Sequence, residues 1–253
     1  MTNATTTSPT AREPELPGQT VVVIGGSSGI GLETARRARA EGAEVILTGR
    51  HPERLEQPAR ELGALSTGAF DATDSDALAR FFDSLQAPID HVMVTAGRPV
   101  YGRILDMDLE EIRRSLGEHI LMAIQVARHA TGKVRPGGSL IFMGGTGGRR
   151  PGIGLTLAGT VTAALPALVA NLALEVAPVR VNLIAAGFVD TPLSASILGD
   201  QLDNRRAQLR ETLPIRRVVG PADVAALAVH LMSNTALTGA TYDVDGGQQL
   251  VPA

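Results

Sequence analysis

The chain has 253 residues, of which 44% are hydrophobic, and this is enough to bury one large core. Its formal net charge of −3 and its scattered basic residues exclude the electrostatic footprint of a nucleic-acid-binding protein. It has no cysteine, which excludes disulfides, thiolate catalysis and cysteine-ligated metals. Residues 1–17 are rich in Thr and Pro and hold no apolar segment. We therefore expect a disordered N-terminal tail, no signal peptide and a cytoplasmic protein.

Apolar, strand-like runs alternate with helical patterns from residue 18 onward. The predicted strands cover 20–24, 44–48, 65–70, 89–94, 139–143, 179–184 and 240–244. The predicted helices lie near 29–41, 52–62, 75–85, 109–131, 156–177, 202–211 and 222–233. Because the strands are apolar on both faces, the alternation predicts an α/β fold with a doubly wound parallel sheet. We expect a three-layer α/β/α sandwich that forms a single domain over 18–253.

The segment from Ile24 to Gly31 joins the first predicted strand to the first predicted helix through a glycine-rich turn. Strand, glycine turn and helix form a pyrophosphate site, because backbone N–H groups at the helix end point at the anion. Gly25 permits the tight turn, Gly29 leaves room for the phosphates, and Gly31 lets the helix pack on the strand. The alternative is a loop that only turns the chain. The predicted cofactor contacts here are Gly25, Ser27, Ser28, Gly29, Ile30 and Gly31.

Ligands of a doubly wound sheet lie at the carboxyl ends of its strands, so the residues that follow each strand are candidates. Arg50 follows the second strand, where an acidic residue would bind a ribose 2′-hydroxyl. Its guanidinium favours a 2′-phosphate, and therefore NADP(H) over NAD(H); the alternative is an arginine on a solvated loop. Asp71 and Ala72 follow the third strand, near the expected adenine amino group. Ala96 and Gly97 follow the fourth and leave space beside the cofactor ribose.

The stretch 151–174 carries no charged residue and is long enough to span a bilayer. Its glycines and threonines, with Pro166 and Asn171, keep its hydropathy modest, so we expect no membrane span. We interpret it as a helix that is buried on most sides and packs at a subunit interface.

Together these features resemble the short-chain dehydrogenase/reductase family, from about residue 18 to the C-terminus. The glycine segment is similar to the family's T-G-x-x-x-G-x-G pattern, with Ile24 at the Thr position. Residues 94–97 are similar to its N-N-A-G motif without the asparagines, and 172–191 to its L-A-x-E … R-V-N-x-x-x-P-G-x-x-x-T segment. The resemblance implies a Rossmann-like fold, a small-molecule substrate and a homotetramer or homodimer. It also implies cofactor contacts from Gly187, Val189 and Thr191.

The resemblance assigns positions to the family's catalytic Tyr, Lys, Ser and Asn, and this chain has other residues there. Those positions hold, respectively, Ala158, Thr162, Gly145 and His119. The only tyrosines are Tyr101 and Tyr242 and the only lysine is Lys133, so no shift of the alignment restores a Tyr-x-x-x-Lys pair. Since the Tyr of the family protonates the carbonyl oxygen, carbonyl reduction by this chain requires another proton donor.

The candidate replacements are His119, Thr146 and Tyr101. His119 titrates near neutrality, which suits an acid or base; the alternative is a helix-face histidine hydrogen-bonded to the backbone. Tyr101 has the alternative of a loop aromatic over the cleft. Thr146 and Thr162 cannot act as acids unaided, and we expect Thr162 to serve helix packing.

A glycine run, Gly-Gly-Thr-Gly-Gly at 144–148, follows the fifth predicted strand at the mouth of the expected site. It predicts either a pocket reshaped to bind an anion or a bulkier ligand, or a flexible turn. Arg149 and Arg150 beside it either attract an acidic ligand or are surface charges. Residues 193–213 are expected to form a mobile, partly helical lid over the substrate.

Two functions remain open from the sequence. The first is an atypical NADP(H)-dependent oxidoreductase that transfers a hydride to or from a small carbonyl, enone or alcohol without the usual Tyr/Lys pair. The second is a catalytically inactive NADP(H)-binding sensor or partner subunit. Neither requires a metal ion.

Overall fold

The computed structural model describes residues 15–86 and 88–251. The strands are β1 Thr20–Ile24, β2 Glu44–Gly49, β3 Ser66–Ala69, β4 Ile89–Val94, β5 Val134–Gly145, β6 Arg180–Ala186 and β7 Thr241–Val244. The α-helices are α1 Gly29–Ala40, α2 Pro52–Leu62, α3 Ser75–Ser84, α4 Leu109–Ala130, α5 Thr156–Glu175, α6 Pro192–Leu198, α7 Leu202–Thr212 and α8 Pro221–Ser233. Strands and helices alternate through most of the described chain, as predicted.

The ends of several helices are set by local chemistry. Asp74 accepts hydrogen bonds from two backbone N–H groups in the first turn of α3, both at 3.0 Å. Asp108 does the same for α4, at 2.8 and 2.9 Å. Pro52 opens α2, and Gly63 ends it with a left-handed φ of +57°. These residues satisfy or remove free backbone groups, so the helix bounds are readable from the sequence.

All seven strands are parallel, in the order β3-β2-β1-β4-β5-β6-β7. The strand order reverses between β1 and β4, which lie side by side in the centre of the sheet. At such a switch point the loops after the two strands diverge and leave a crevice at the carboxyl edge. The doubly wound α/β/α architecture is confirmed.

Alternate side chains of the central strands enter two helical layers. Val22 and Ile24 belong to a buried cluster that also contains Leu78 of α3, Val126 of α4 and Leu165 of α5. The intervening residues of β1 pack on the opposite face with residues of α1 and α8, namely Val21, Val23, Ala35, Ala38, Val224 and Ala228. Burial on both faces explains why the strands read as continuous apolar runs.

Helix α5 is the one helix of the described chain that is long and apolar enough to cross a membrane. Its buried residues are Leu157, Val161, Leu165, Val169 and Leu172. Four of these, Val161, Leu165, Val169 and Leu172, join the core cluster between the sheet and α4. The core helix of a globular domain meets the same length and hydropathy criteria, and α5 packs on the core along this one face. Because 39% of its apolar window is buried, the expected burial on most sides is not found within the described chain.

Three departures from the predicted elements matter. Leu16 was expected in the disordered tail, yet it is fully buried and its N–H donates to the Glu41 carbonyl at 2.9 Å. The fold therefore includes residues 15–17, and residues 1–14 of the expected tail lie outside the described residues. Strand β5 begins five residues before its predicted start at Ser139. The expected lid contains a separate helix, α6, before α7.

Candidate functional site

The glycine turn after β1 is packed at backbone distance against the end of β4. Gly25 has a φ of +97°, and a Cβ there would lie 2.7 Å from the Ala96 backbone N. A Cβ on Gly31 would lie 2.5 Å from Thr95 Oγ1, whose hydroxyl donates to the Gly25 carbonyl at 3.1 Å. The steric reasons predicted for Gly25 and Gly31 are therefore observed, and any larger residue would push the turn away from the crevice.

The first turn of α1 presents free N–H groups at the crevice. Ser28 is the N-cap residue, and its side chain caps none of them within the described structure. The first turn also has no acidic residue, so the positive end of the helix is uncompensated. Gly29, with a φ of +56°, has Thr191 opposite it, since a Cβ at Gly29 would lie 3.6 Å from Thr191 Cβ. This arrangement suits a phosphate anion.

The carboxyl ends of β2 and β3 bring Arg50 and Asp71 near each other. Arg50 is exposed and pairs with no carboxylate of the described residues. Asp71 accepts from Thr73 N at 2.9 Å and from Thr73 Oγ1 at 2.8 Å. These hydrogen bonds lower the pKa of Asp71, and the charge of Arg50 adds to the shift. Ala72 is buried beside Asp71, and the Ser27 hydroxyl lies 3.3 Å from where a Cβ on Gly49 would be.

His119 on α4 lies against Gly97, the third residue after β4. Gly97 has a φ of +116°, and a Cβ there would lie 2.6 Å from His119 Nε2. No protein hydrogen bond to the imidazole is found within the described chain, so the alternative of a histidine bonded to the backbone does not hold. Burial lowers the pKa of His119, while the Glu118 carboxylate opposes the shift. The structure thus places an imidazole that is free of hydrogen bonds to the described residues at the crevice.

Beneath His119 is a small cavity between β4, β5, α4 and α5. Its other lining residues are apolar: Val94, Ala96, Met122, Ala123, Phe142, Met143 and Leu165. It leaves about 10 Å³, which is room for about one water molecule. His119 is therefore the single polar side chain of this cavity.

The glycine run at 144–148 contains the last two residues of β5 and packs directly on α5. A Cβ on Gly148 would lie 2.8 Å from the Ala163 N and 2.9 Å from the Gly159 carbonyl oxygen. A Cβ on Gly145 would lie 3.2 Å from Thr162 Cγ2. Neither glycine has a positive φ, so close approach to the helix, not backbone conformation, requires them. The run forms a closely packed floor beside the crevice.

Thr146 and Thr162 are the two threonines considered as proton donors. Thr146 is 5% exposed, and its N–H donates to the Ala186 carbonyl at 3.1 Å. The Thr162 hydroxyl is bound within α5, to the Ala158 and Gly159 carbonyls at 2.8 and 3.1 Å. This internal hydrogen bonding fits the helix-packing role expected for Thr162.

Tyr101 lies on the loop after β4 and is 50% exposed. Partial burial raises the pKa of its hydroxyl, which bonds to no other side chain or backbone group that the structure describes. The neighbouring Gly102 N–H donates to the Gly154 carbonyl at 2.9 Å, which ties this loop to the loop before α5. Tyr101 does not line the cavity beneath His119.

The loop after β6 is held partly by the C-terminal segment. The Gly187 N–H donates to the Val244 carbonyl at 3.1 Å, and a Cβ on Gly187 would lie 2.6 Å from Gln248 Oε1. Val189 is buried, and Thr191 caps α6 by accepting from Ser194 N at 3.3 Å. Gly187 therefore faces the C-terminal segment, whereas Thr191 faces the glycine turn.

Three arginines form polar contacts between the loops near the site and other parts of the chain. Arg149 forms a bidentate ion pair with Asp243, at 2.8 and 2.6 Å. Its charge is therefore already paired, which disfavours the interpretation that it attracts an acidic ligand. Arg150 donates to the carbonyls of Gln248 and Val251, at 2.6 and 3.1 Å. In α7, Arg206 holds Asp190 through two hydrogen bonds of 2.9 and 2.8 Å.

Arg206, which holds Asp190 in the loop after β6, is a residue that the sequence analysis does not single out. The available signal was a second Arg-Arg pair in the expected lid, but its partner Asp190 lies 16 positions away. Within the described ranges, no group of three or more His, Asp or Glu side chains could hold a metal ion.

Comparison with known proteins identifies relatives that match most of this chain. A family model described as enoyl-(acyl carrier protein) reductase matches residues 24–249. The NADP-dependent (R)-specific alcohol dehydrogenase of Lentilactobacillus kefiri is 30% identical over 92% of this chain and 97% of its own. The 3-oxoacyl-[acyl-carrier-protein] reductase MabA of Mycobacterium bovis is 30% identical over 96% of this chain and 98% of its own.

Solved structures also match this chain over most of its length. L-sorbose reductase from Gluconobacter frateurii, complexed with NADPH and L-sorbose, superposes with a TM-score of 0.84 at 27% identity. That match covers 94% of this chain and 99% of the reductase. The parallel sheet, the glycine turn at its switch point and the whole-length matches lead to one conclusion: the chain belongs to the short-chain dehydrogenase/reductase family.

Proposed function

We propose that the protein is an NADP(H)-dependent oxidoreductase that transfers a hydride to or from a small carbonyl, enone or alcohol substrate. The observation that carries this proposal is the crevice itself, where the first turn of α1, which has no side-chain cap, and Arg50, which forms no ion pair with a described carboxylate, lie at the same edge of the sheet. A dinucleotide with an additional phosphate fits that charge pattern. When bound, NADPH supplies the hydride.

The residues proposed to hold the cofactor follow the strand ends from β1 to β6. They are Gly25, Ser27, Ser28, Gly29, Ile30, Gly31, Arg50, Asp71, Ala72, Ala96, Gly97, Gly187, Val189 and Thr191. Arg50 is assigned to the 2′-phosphate because a planar guanidinium bonds phosphate oxygens in pairs. The relatives support the choice of NADP(H), since one is named as NADP-dependent and two solved neighbours are complexes with NADPH.

His119 is the group that we assign to proton transfer. The positions of the family's Tyr and Lys hold Ala158 and Thr162 here, and the Thr162 hydroxyl hydrogen is already bound within α5. The His119 imidazole is uncommitted and lies against Gly97, at the end of a central strand. A positioned general acid of this kind contributes about 10²- to 10⁴-fold in rate. Thr146 and Tyr101 stay secondary candidates.

The inactive sensor or partner subunit is not favoured. The relatives that cover nearly the full chain are named as reductases and dehydrogenases. A free imidazole at the crevice also supplies a chemical replacement for the missing acid.

We further propose that α5 packs against a second copy of the chain, in a homodimer or homotetramer. Its outward face carries small or apolar exposed residues, among them Ala163, Ala167 and Ala170, and Leu174 is 79% exposed. Light scattering that gave the mass of a monomer would contradict this. A cytoplasmic location remains a prediction.

Cofactor titration tests the proposed function. The chain has no Trp, so NADPH fluorescence can be followed with little background from the protein. We expect NADPH to bind at least about tenfold more tightly than NADH, and Arg50→Gln to remove the difference. Arg54→Gln, an exposed arginine on α2, is the control. NADPH oxidation with carbonyl and enone panels then tests turnover; binding without turnover on any substrate would restore the inactive alternative.

A further inference from the structure

A bidentate ion pair joins helix α7 to the loop after β6. Arg206 of α7 donates from Nε to Asp190 Oδ2 at 2.9 Å and from Nη2 to Asp190 Oδ1 at 2.8 Å. Each of the two side chains is 31% exposed, so the pair is partly shielded from solvent. Two parallel hydrogen bonds between a guanidinium and a carboxylate fix the orientation of both groups, which a single contact between charges does not.

The groups on both sides of this ion pair are held by the fold. Leu209 of α7 is 2% exposed and Leu213, directly after the helix, is 1% exposed, so α7 is anchored in the protein. In the loop after β6, the Asp190 N–H donates to the Val219 carbonyl at 2.9 Å. Asp190 is thus held through its backbone by one segment and through its carboxylate by α7.

Thr191, the residue after Asp190, lies against the glycine turn. An ideal Cβ on Gly29 would lie 3.6 Å from Thr191 Cβ and 3.7 Å from Thr191 Cγ2, which is ordinary van der Waals contact. Gly29 is the first residue of α1, the helix whose first N–H groups suit a phosphate. Thr191 and the glycine turn are therefore two walls of the same part of the crevice. Because Thr191 is bonded to Asp190, a rotation of the Asp190 backbone would change the distance between these walls.

Arg206 has a second carboxylate partner that does not reach the site. Its Nη1 donates to Asp203 Oδ1 at 2.9 Å. Asp203 lies three residues before Arg206 in α7, and its side chain is 91% exposed. Asp190 and Asp203 therefore carry the same charge and bind the same guanidinium, but only Asp190 adjoins a proposed cofactor contact.

We propose that Arg206 is a positioning residue for the cofactor: through Asp190 it holds Thr191 at the distance from the glycine turn that the bound dinucleotide requires. The inference rests on the proposed function and deepens it, because it gives α7, which follows none of the strand ends directly, a role in NADP(H) binding. The role assigned to Asp190 is to hold Thr191, since Arg206 binds both of its carboxylate oxygens.

NADPH fluorescence titration of three variants tests the inference without requiring turnover. We expect Arg206→Gln and Asp190→Asn each to weaken NADPH binding at least about fivefold. The two substitutions change the local charge in opposite directions, so a charge effect alone would weaken binding in one and strengthen it in the other. Asp203→Asn, which removes the same charge as Asp190→Asn, should leave the affinity unchanged. Opposite effects of Arg206→Gln and Asp190→Asn, or equal effects of the two Asp→Asn variants, would overturn the inference.

Three further measurements separate positioning from a general loss of structure. Adenosine 2′,5′-bisphosphate carries the adenine and the 2′-phosphate but lacks the nicotinamide half, so calorimetry should show equal binding to the wild type, Arg206→Gln and Asp190→Asn. The double variant should bind NADPH no more weakly than either single variant, because the two residues act through one contact. Arg206→Lys keeps the charge without the paired hydrogen bonds and should retain part of the affinity. Equal losses for the bisphosphate and NADPH, or additive losses in the double variant, would contradict a positioning role.

The outcomes also distinguish this inference from the proposed function. NADPH binding by the wild type that Arg206→Gln and Asp190→Asn do not change would refute the positioning role and keep the cofactor site. Weaker NADPH binding in both variants, without turnover of any carbonyl or enone by the wild type, would keep the positioning role and refute the oxidoreductase. A wild type that binds no NADPH would refute both.

Discussion

The imidazole of His119 occupies the space that a side chain on Gly97 would need. An ideal Cβ on Gly97 would lie 2.6 Å from His119 Nε2 and 3.0 Å from His119 Cδ2. Gly97 also has a φ of +116°, which L side chains rarely adopt. The glycine at the end of β4 thus determines where the candidate proton donor can lie.

Gly97→Ala is expected to displace the imidazole and to strain the backbone. We expect a loss of about 1–3 kcal/mol in the free energy of unfolding and at least about a tenfold loss of NADPH oxidation. Chemical denaturation and steady-state kinetics measure the two effects. Gly132→Ala is the control, because a Cβ there would meet nothing within 4 Å. Unchanged activity in Gly97→Ala would mean that the position of His119 does not matter.

His119→Gln is expected to remove the acid limb of the pH profile. Burial holds the pKa of His119 below its usual value, so the protonated, donating form increases as the pH falls below about 6.5. Carbonyl reduction by the wild type should therefore accelerate toward acid pH, whereas His119→Gln should lose about 10²-fold or more in kcat and this dependence. The measurement is kcat against pH at saturating NADPH.

Two further variants test whether His119 is the proton donor. His51→Gln alters an exposed histidine at the start of α2 and should leave the profile intact. Tyr101→Phe tests the loop hydroxyl. If Tyr101→Phe lost the rate and His119→Gln kept it, the proton donor would be Tyr101 and not His119.

Gly148→Ala tests the packed floor after β5. Its Cβ would lie 2.9 Å from the Ala163 Cβ and 2.8 Å from the Ala163 N, and backbone atoms cannot move aside as a flexible side chain can. We expect a loss of about 1–3 kcal/mol in the free energy of unfolding. Gly147→Ala is the matched neighbour, since its Cβ would lie 3.7 Å from Thr162 Oγ1 in ordinary contact. Equal stability of the two variants would restore the interpretation of a flexible turn.

The elements that the sequence predicted best are those with local signals at both ends. Strand β4 and helix α2 match their predicted bounds, because β4 has apolar residues at its start, Ile89, and at its end, 92–94, and α2 is framed by Pro52 and Gly63. The start of β5 was missed because Pro136, Gly137 and Gly138 read as a turn although the strand runs through them. Leu16 was missed because its side chain is buried in a core cluster with residues of α1 and α8, which no local pattern reveals.

The features of the site also differ in how well the sequence predicts them. The steric roles of Gly25 and Gly31 follow from a short motif whose parts are neighbours in sequence. The start of α4 was predicted correctly. The contact of His119 with Gly97 also depends on the rotation of α4 against the sheet, which cannot be read from the 21 positions between the two residues. The Arg149–Asp243 ion pair joins residues 94 positions apart and required the full order of strands.

The stability of the protein is expected to fall in mild acid because of His91. This histidine is 2% exposed in β4, with Nδ1 2.8 Å from Ser139 Oγ and Nε2 2.7 Å from Gln19 Oε1. Burial lowers its pKa from 6.5 to about 4, with the Arg180 charge contributing and the Asp90 charge opposing. Between those pH values the unfolded chain binds a proton that the folded chain does not. Stability is therefore complete above about pH 6.5 and falls by about 3 kcal/mol toward pH 4.

Chemical denaturation at pH 7 and pH 5 measures this dependence. His91→Gln keeps a donor and an acceptor without a titrating ring, so its stability should vary less between the two pH values than that of the wild type. His51→Gln, at an exposed position, should vary as the wild type does. A wild type and a His91→Gln variant with the same pH dependence would refute the assignment.

The last prediction concerns Arg180, at the start of β6, which is 6% exposed and has no carboxylate partner among the described residues. Its guanidinium instead donates to five backbone carbonyls at 2.7–3.1 Å, those of Gly137, Leu231, Met232, Asn234 and Leu237. Two of them belong to the last turn of α8, where the helix dipole favours a cation.

Arg180→Met keeps most of the side-chain volume but removes the guanidinium from all five carbonyls. Those of Asn234 and Leu237 keep another donor, and those of Gly137, Leu231 and Met232 lose the donor that Arg180 supplies. Unsatisfied buried acceptors cost about 1–3 kcal/mol each, and their effects do not add fully, so we expect a loss of at least about 3 kcal/mol in the free energy of unfolding. Arg128→Met, on the exposed face of α4, should change it by about 0.5 kcal/mol or less. Because Arg180 lies at the edge of the sheet opposite the crevice, NADPH affinity of the folded Arg180→Met protein should stay unchanged. A stability close to that of the wild type would mean that water replaces the guanidinium at these carbonyls.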